Sequence, residues 1–200
     1  MAMRNAEISI TGVSPLLMNN PQTVDRFNGF TKRMAAINAK KTRRTDDDYL
    51  ELRDLEMESK TYFDKGGVGV YVPSSWLSEA IATAAFRVAK ISRADIRGAL
   101  FTTEEKIPLK FRDMDKVKAI TDIIKNEAFR IVLNLPQGQT RLAKAFPIFH
   151  QWSFKTSVEF DDKIIDPDSV TRIVEHTAKY GGFGDFRPKF GRAAAEVKHV

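Results

Sequence analysis

The sequence predicts an α+β fold in which helices cover one face of an antiparallel sheet. The stretch AEISITGV, residues 6–13, alternates Ile8 and Ile10 with polar neighbours, which is typical of a half-buried strand. The stretch SSWLSEAIATAAFRVAK, residues 74–90, has a broad apolar stripe at helical spacing, and its alanines allow close packing on a sheet. The stretch PIFHQWSFKTSVEF, residues 147–160, alternates throughout and predicts the longest strand.

Three further elements complete the predicted order of the core. FRIVLNL, residues 129–135, alternates as a strand does, and a helix begins at Pro167 or Asp168 and ends at the glycine pair 181–182. The closing stretch FGRAAAEVKHV, residues 190–200, has room for a last strand. The resulting order of strand, insertion, helix, strand, strand, helix and strand is the ferredoxin-like order.

Residues 20–68 are predicted to form a mainly helical insertion after the first strand, within a single domain that spans residues 1–200. Thr45 is a candidate N-cap, because three aspartates follow it where a helix dipole favours anions. The helices of the insertion have few apolar residues, so we expect them to pack lightly. A further helix is predicted over 115–126, and QGQTRLAK, residues 137–144, is predicted to be an exposed loop.

The composition limits the classes of function. A net charge of +6 and an isoelectric point near 9.5 favour a polyanionic partner. The absence of cysteine excludes disulfides, thiolate zinc sites and cysteine nucleophiles, and no cofactor or metal is expected. No apolar run is long enough to span a membrane, and the N-terminus lacks a signal peptide, so a cytoplasmic location is expected.

The main candidate site is the stretch KYGGFGDFRPKFGR, residues 179–192. Glycines allow close approach of a partner, phenylalanines offer faces for stacking, and cations pair with phosphates, which together suit a single strand of nucleic acid. The alternative is a helix stop followed by a loop whose phenylalanines fill the core. The predicted contact residues are Lys179, Phe183, Phe186, Arg187, Lys189 and Arg192, and the predicted approach glycines are Gly181, Gly182, Gly184 and Gly191.

Three separated segments together resemble a known family. ITGVSPLLMNN at residues 10–20, VYVPSSWLSEAI at 70–81 and GGFGDFRPKFGR at 181–192 occur in the order found in the RAMP superfamily, the repeat-associated proteins of CRISPR effector complexes. The chain looks most similar to the guide-binding backbone subunits and closer still to a group of phage and prophage proteins of this length. The resemblance implies an RRM-like (ferredoxin-like) core with a helical insertion that binds RNA or single-stranded DNA along its backbone.

Two further basic patches and one aromatic residue are candidates for the same contact. The basic cluster of the insertion comprises Lys40, Lys41, Arg43 and Arg44, and the alternative is a solvated helix end. Arg141 and Lys144 form a third patch. Phe149 falls on the polar face of its predicted strand, where RRM-type sheets stack bases, although the insertion is an alternative cover for it.

Catalysis is the competing class of function. His150 and His176 are candidates for an acid–base pair, as in RAMP-type endoribonucleases, but His150 falls on the apolar side of its strand, where a core histidine is the alternative. Asp25 lies near the position where some backbone subunits place a metal-binding aspartate. We expect a non-catalytic protein that assembles head-to-tail along the strand. A protein–protein scaffold or inhibitor component with the same fold is the first alternative, and the endoribonuclease is the second.

Overall fold

The computed structural model describes residues 3–138 and 140–200. The first half of this part contains four strands and three helices, which are β1 (Met3–Gly12), β2 (Leu16–Leu17), α1 (Gly29–Ala39), α2 (Asp46–Lys60), β3 (Phe63–Asp64), β4 (Gly69–Pro73) and α3 (Ser74–Ala89). The second half contains α4 (Arg93–Ala99), β5 (Leu100–Thr102), β6 (Lys106–Pro108), α5 (Ile120–Ile124), β7 (Arg130–Gln137), β8 (Thr140–Phe149), β9 (Ser153–Asp161), α6 (Pro167–His176) and β10 (Ala193–His199).

The main sheet has the strand order β10–β1–β9–β5, and every pairing in it is antiparallel. This is the ferredoxin-like arrangement, in which the first and third core strands lie side by side at the centre, so the predicted fold class is confirmed. Ile8, Ile10 and Phe154 point from the central strands into a core covered by α3 and α6. Their neighbours Glu7 and Lys155 face solvent on the other side of the sheet.

The second strand of the core differs from the prediction. It is the short β5, and residues 130–135 belong instead to a hairpin of β7 and β8 inserted between the second and third core strands. Three residues are too few to show an alternating pattern, whereas the hairpin is long and alternates clearly. Strand β8 begins at Thr140, so most of the predicted loop 137–144 is strand; Gln139 lies outside the described residues.

The long strand predicted over 147–160 is two strands in different sheets. β8 ends at Phe149 and β9 begins at Ser153, with Gln151 at a φ of +49° in the turn between them. At this turn the buried Trp152 donates from its indole Nε1 to the carbonyl oxygen of Ser14 at 2.7 Å. The apolar alternation continues through the turn because two clusters follow one another: Ile148 is buried with Leu17 and Phe146, whereas Trp152 and Phe154 are buried in the main core.

The insertion is more tightly packed than predicted. Thr45 caps α2 as expected, in a reciprocal capping box with Asp48. However, the last turns of α2 bury Leu55 and Met57, and Met57 belongs to the same core cluster as Ile8. The buried apolar residues lie at the C-terminal end of α2, so the average composition of the helix underestimates how tightly that end packs.

Two smaller features complete the fold. The helix predicted over 115–126 is only the short α5, preceded by a 3-10 turn at Met114–Lys116. Within the described residues, no helix is both long enough and apolar enough to cross a membrane.

Candidate nucleic-acid interface

The segment Gly181–Arg192, here called the glycine loop, is closed by hydrogen bonds of its own backbone. The Phe183 amide donates to the carbonyl oxygen of Gly191 at 2.9 Å, across the base of the loop. The Gly191 amide donates to the Pro15 carbonyl at 2.8 Å, and the Asp185 amide donates to the Leu17 carbonyl at 3.0 Å. The loop is therefore fixed against the turn that follows β1.

Three of the four predicted approach glycines serve this closure. Gly182, Gly184 and Gly191 have φ angles of +73°, +76° and +75°, which side chains rarely adopt. A Cβ atom would lie 2.3 Å from the Leu17 carbonyl oxygen at Gly184 and 1.7 Å from the Phe183 carbonyl oxygen at Gly191. The backbone that approaches these glycines is thus the protein's own, which corrects the prediction. Gly181 is exposed and has open space around it.

The two phenylalanines of the prediction have different environments. Phe183 is fully buried, and its ring packs edge-on against Trp152 at 6.2 Å and Phe154 at 5.4 Å between ring centroids. The prediction that Phe183 stacks on a base is therefore wrong, and the core-filling alternative is correct for this residue. Phe186 is half-buried and packs edge-on against Phe146 at 5.3 Å.

The predicted cations of this region all face solvent. Arg187, Lys189, Arg192 and Lys179 are exposed, and none of them forms an ion pair within residues 3–138 and 140–200. Lys179 and Arg192 line one cleft of about 470 Å³, together with Glu175, Val13 and the start of β10. Their charge is therefore available to a ligand.

A second cleft, of about 560 Å³, lies between α3, the end of α6 and the glycine loop. Besides Arg187 it is lined by Arg87 and Tyr180, which the sequence prediction missed. Tyr180 stands inside the predicted stretch and Arg87 is in the last turn of the strongest predicted helix. The missing signal was the pairing of α3 with α6, which brings these distant residues to one place.

The basic cluster of the insertion is partly neutralised. Lys40 forms an ion pair with Asp48, and this contact lowers the pKa of the Asp48 carboxyl group. Arg44 stacks over the Tyr49 ring at 5.2 Å, while Lys41 and Arg43 are exposed.

This cluster lies far from the glycine loop along α2. The cluster is at the start of α2, whereas Lys60 at the other end lies over the Phe146 ring at 3.8 Å, beside Phe186. Helix α2 has 15 residues, so at a rise of 1.5 Å per residue its two ends are about 22 Å apart. The two basic patches therefore do not form one small site.

The two cations of the third predicted patch, Arg141 and Lys144, have different environments. Arg141 is exposed on β8, but the Lys144 ammonium donates to Glu56 Oε1 at 2.5 Å. Glu56 is buried in α2 and also accepts the Ala145 amide at 2.8 Å. Lys144 therefore ties the hairpin to the insertion, and its charge is already paired within the protein.

Phe149 is fully buried and packs against Phe111 and Phe129 at 4.8 Å and 5.9 Å between ring centroids. The prediction that it stacks on a base is wrong, because β8 lies outside the main sheet and turns this side chain inward. The open face of the main sheet instead exposes Phe101 beside Glu159, its partner in the register. Within the part of the chain that the structure describes, this face therefore has no aromatic surface of the RRM type.

The candidate catalytic residues lie in different parts of the molecule. His150 is in the turn between β8 and β9, while His176 ends α6 and lies 4.9 Å from Tyr180 between ring centroids, in the second cleft. Asp25 is exposed and accepts the Phe27 amide at 2.9 Å. Among the described residues, no group of three or more histidine, aspartate or glutamate side chains is placed to hold a metal ion.

Comparisons with known proteins support the fold. No family model and no curated protein sequence matches the chain. Among solved structures, the chain is similar to one in the cryo-EM structure of the Type III-B Cmr-beta bound to cognate target RNA, with a TM-score of 0.53 and 9% identity. The match covers 99% of this chain but only 61% of the length of that one.

Proposed function

We propose that this protein binds single-stranded nucleic acid, RNA above all, through the glycine loop and the cations beside it. The observation that carries the proposal is the meeting of the three family-like segments at one place. The turn after β1 is hydrogen-bonded to the glycine loop, and α3 lines a cleft with that loop. The first segment is thus hydrogen-bonded to the third, and Ala80 of the second segment lines a cleft with the third.

The charge of this surface supports the same function. Lys179, Arg187, Lys189 and Arg192 are exposed on a loop whose backbone is fixed, and no carboxylate of the described residues pairs with them. Exposed cations on a fixed frame suit a phosphate backbone, and they release counterions on binding. The similar solved chain belongs to an assembly bound to target RNA, which fits an RNA ligand. Together with the sequence motifs, this likeness also favours a RAMP-type relationship.

The proposed role is non-catalytic. His150 lies in the turn between β8 and β9, whereas His176 ends α6 and lines the second cleft, whose lining does not include His150. A general acid and a general base must both reach the same reacting group, so the location of the two histidines in different elements supports a non-catalytic role. Incubation with labelled RNA should therefore leave the strand intact.

Binding is tested by fluorescence anisotropy with labelled single-stranded RNA, single-stranded DNA and duplexes of equal length. We expect tightest binding to a single strand and an affinity that falls steeply with salt. Arg187→Ala and Lys189→Ala should each weaken binding of every sequence and reduce the salt dependence by about one counterion. Lys163→Ala, at an exposed lysine of the turn before α6, is the matched control. No binding to any strand at low salt would refute the proposal.

Head-to-tail assembly along the strand is the second part of the proposal. Heterologous contacts of this kind build open filaments or closed rings. Light scattering with and without a long oligonucleotide measures it. A strict monomer in both conditions would remove this part and leave the binding proposal standing.

A further inference from the structure

The cleft between α3, the end of α6 and the glycine loop has the size and lining of a ligand site. Its volume of about 560 Å³ lies within the range of about 300–1,000 Å³ that is usual for small-molecule sites. Small residues form much of its lining and keep it open: Ala80, Ala84, Thr177, Gly181 and Gly184.

One wall of the cleft is aromatic. The chain makes a π-helical turn at Thr177–Gly181, directly after α6, and such turns are frequent at functional sites. Tyr180 stands in this turn and leaves 58% of its surface exposed. His176 lies beside it, with 4.9 Å between the ring centroids. The Tyr180 ring is not enclosed by the core as Phe183 is, although the Lys179 ammonium lies over it at 5.2 Å from the ring centroid.

The other walls are cationic. Arg87 from α3 and Arg187 from the glycine loop both line the cleft, and neither forms an ion pair with the described carboxylates. The lining includes one carboxylate, Asp185, which accepts the Asn19 side-chain amide at 2.8 Å and the Phe186 backbone amide at 2.9 Å. These neutral donors leave Asp185 charged, but the two arginines outnumber it, so a ligand meets a lining with a positive excess.

We infer that this cleft accepts one unstacked nucleobase of the bound strand, with the base on the Tyr180 ring and the flanking phosphates at Arg87 and Arg187. This inference rests on the proposed function. An aromatic face accepts any of the bases, so the site adds affinity without strict sequence choice. A base can enter the cleft only when it is not paired and stacked in a duplex. This gives a physical reason for the protein to prefer single strands over duplexes.

The test compares a short labelled oligoadenylate with a strand of equal length whose sugar–phosphate units lack bases. The two strands have the same backbone charge, so the difference in affinity between them reports on the bases. Wild-type protein should bind the intact strand about tenfold more tightly. Tyr180→Ala should abolish this preference and leave the affinity for the base-free strand unchanged, while Tyr180→Phe should keep the preference. Arg87→Ala should weaken binding of both strands equally.

Phe86→Ala is the matched control, because Phe86 is 63% exposed on the same helix but does not line the cleft. Equal affinity of wild-type protein for the two strands would overturn the inference and leave the proposed function intact. A preference that survives in Tyr180→Ala would also overturn it. Failure of wild-type protein to bind either strand would overturn both proposals. Tyr180 is largely exposed, so its variants are expected to fold, and thermal melts check this.

Discussion

Lys60 offers the sharpest test of how the insertion is held to the rest of the fold. Its ammonium donates to the Ala145 carbonyl at 2.5 Å, lies 3.8 Å from the Phe146 ring centroid, and is 4.0 Å from Glu56 Oε2. Only 12% of the side chain is exposed. Burial lowers the pKa of Lys60 from its ordinary 10.5 to about 8, although the nearby Glu56 carboxylate opposes this change.

This pKa makes the stability of the fold depend on pH in a definite direction. Between about pH 8 and pH 10.5 the unfolded chain keeps the Lys60 proton and the folded chain has released it. The unfolded state then binds more protons, so the free energy of unfolding rises with pH over this window. The fall in pKa corresponds to about 3 kcal/mol at about 1.4 kcal/mol per tenfold change in proton affinity. Remaining contact with solvent reduces this to about 2 kcal/mol.

The assay is denaturant unfolding of wild-type protein and Lys60→Met at pH 7, 8, 9 and 10, followed by tryptophan fluorescence. The wild-type free energy of unfolding should gain about 2 kcal/mol over the window relative to the variant. Burial raises the pKa of Tyr62, which acts in the opposite direction near pH 10, but this effect is common to both proteins and cancels in the difference. Lys163→Met, at an exposed lysine, should follow wild type. Parallel pH profiles of wild type and Lys60→Met would refute the reasoning.

Three further substitutions test the loop and its surroundings. Gly191→Ala should prevent closure of the glycine loop and lower the melting temperature markedly, because its Cβ would lie 1.7 Å from the Phe183 carbonyl oxygen; an unchanged melting temperature contradicts this. Phe183→Ala should cost about 3–5 kcal/mol in denaturant unfolding and leave the RNA affinity of the folded protein unchanged, whereas a normal stability with weakened binding would restore the stacking role. Gly12→Ala should displace the Trp152 indole, 2.3 Å from the added Cβ, and shift tryptophan emission to the red; an unshifted spectrum contradicts this contact.

The parts of the fold that could be predicted are those whose signal is local. The α3 stripe, the Thr45 cap and the opening strand are each determined by neighbours within a few positions, and the structure contains all three. The strand β5 was missed, because it is only three residues long and is defined by its pairing with β9. Pairing between distant segments leaves no trace in a periodic pattern.

The same distinction between local signals and long-range contacts applies to the candidate site. The exposed cations of the loop could be identified from composition, since charge stays at the surface wherever the loop lies. Composition could not show whether an aromatic side chain faces the core or the solvent. Phe183 and Tyr180 stand three positions apart, yet one is fully buried and the other is 58% exposed. The difference arises from the π-helical turn and from the docking of the loop onto residues 15–17, which are contacts over long sequence distance.

The closure of the glycine loop has a consequence for any ligand of its cations. A mobile basic loop would lose conformational entropy on binding, and this loss would reduce its affinity. Here the backbone of Phe183, Asp185 and Gly191 is already hydrogen-bonded to itself and to the turn after β1. Binding then has to order only side chains of the loop, and the Arg187 guanidinium already donates to the Gly182 carbonyl oxygen at 3.5 Å. A rigid frame with adaptable cations suits the phosphate backbone rather than the identity of the bases, so we expect the proposed binding to tolerate differences in sequence.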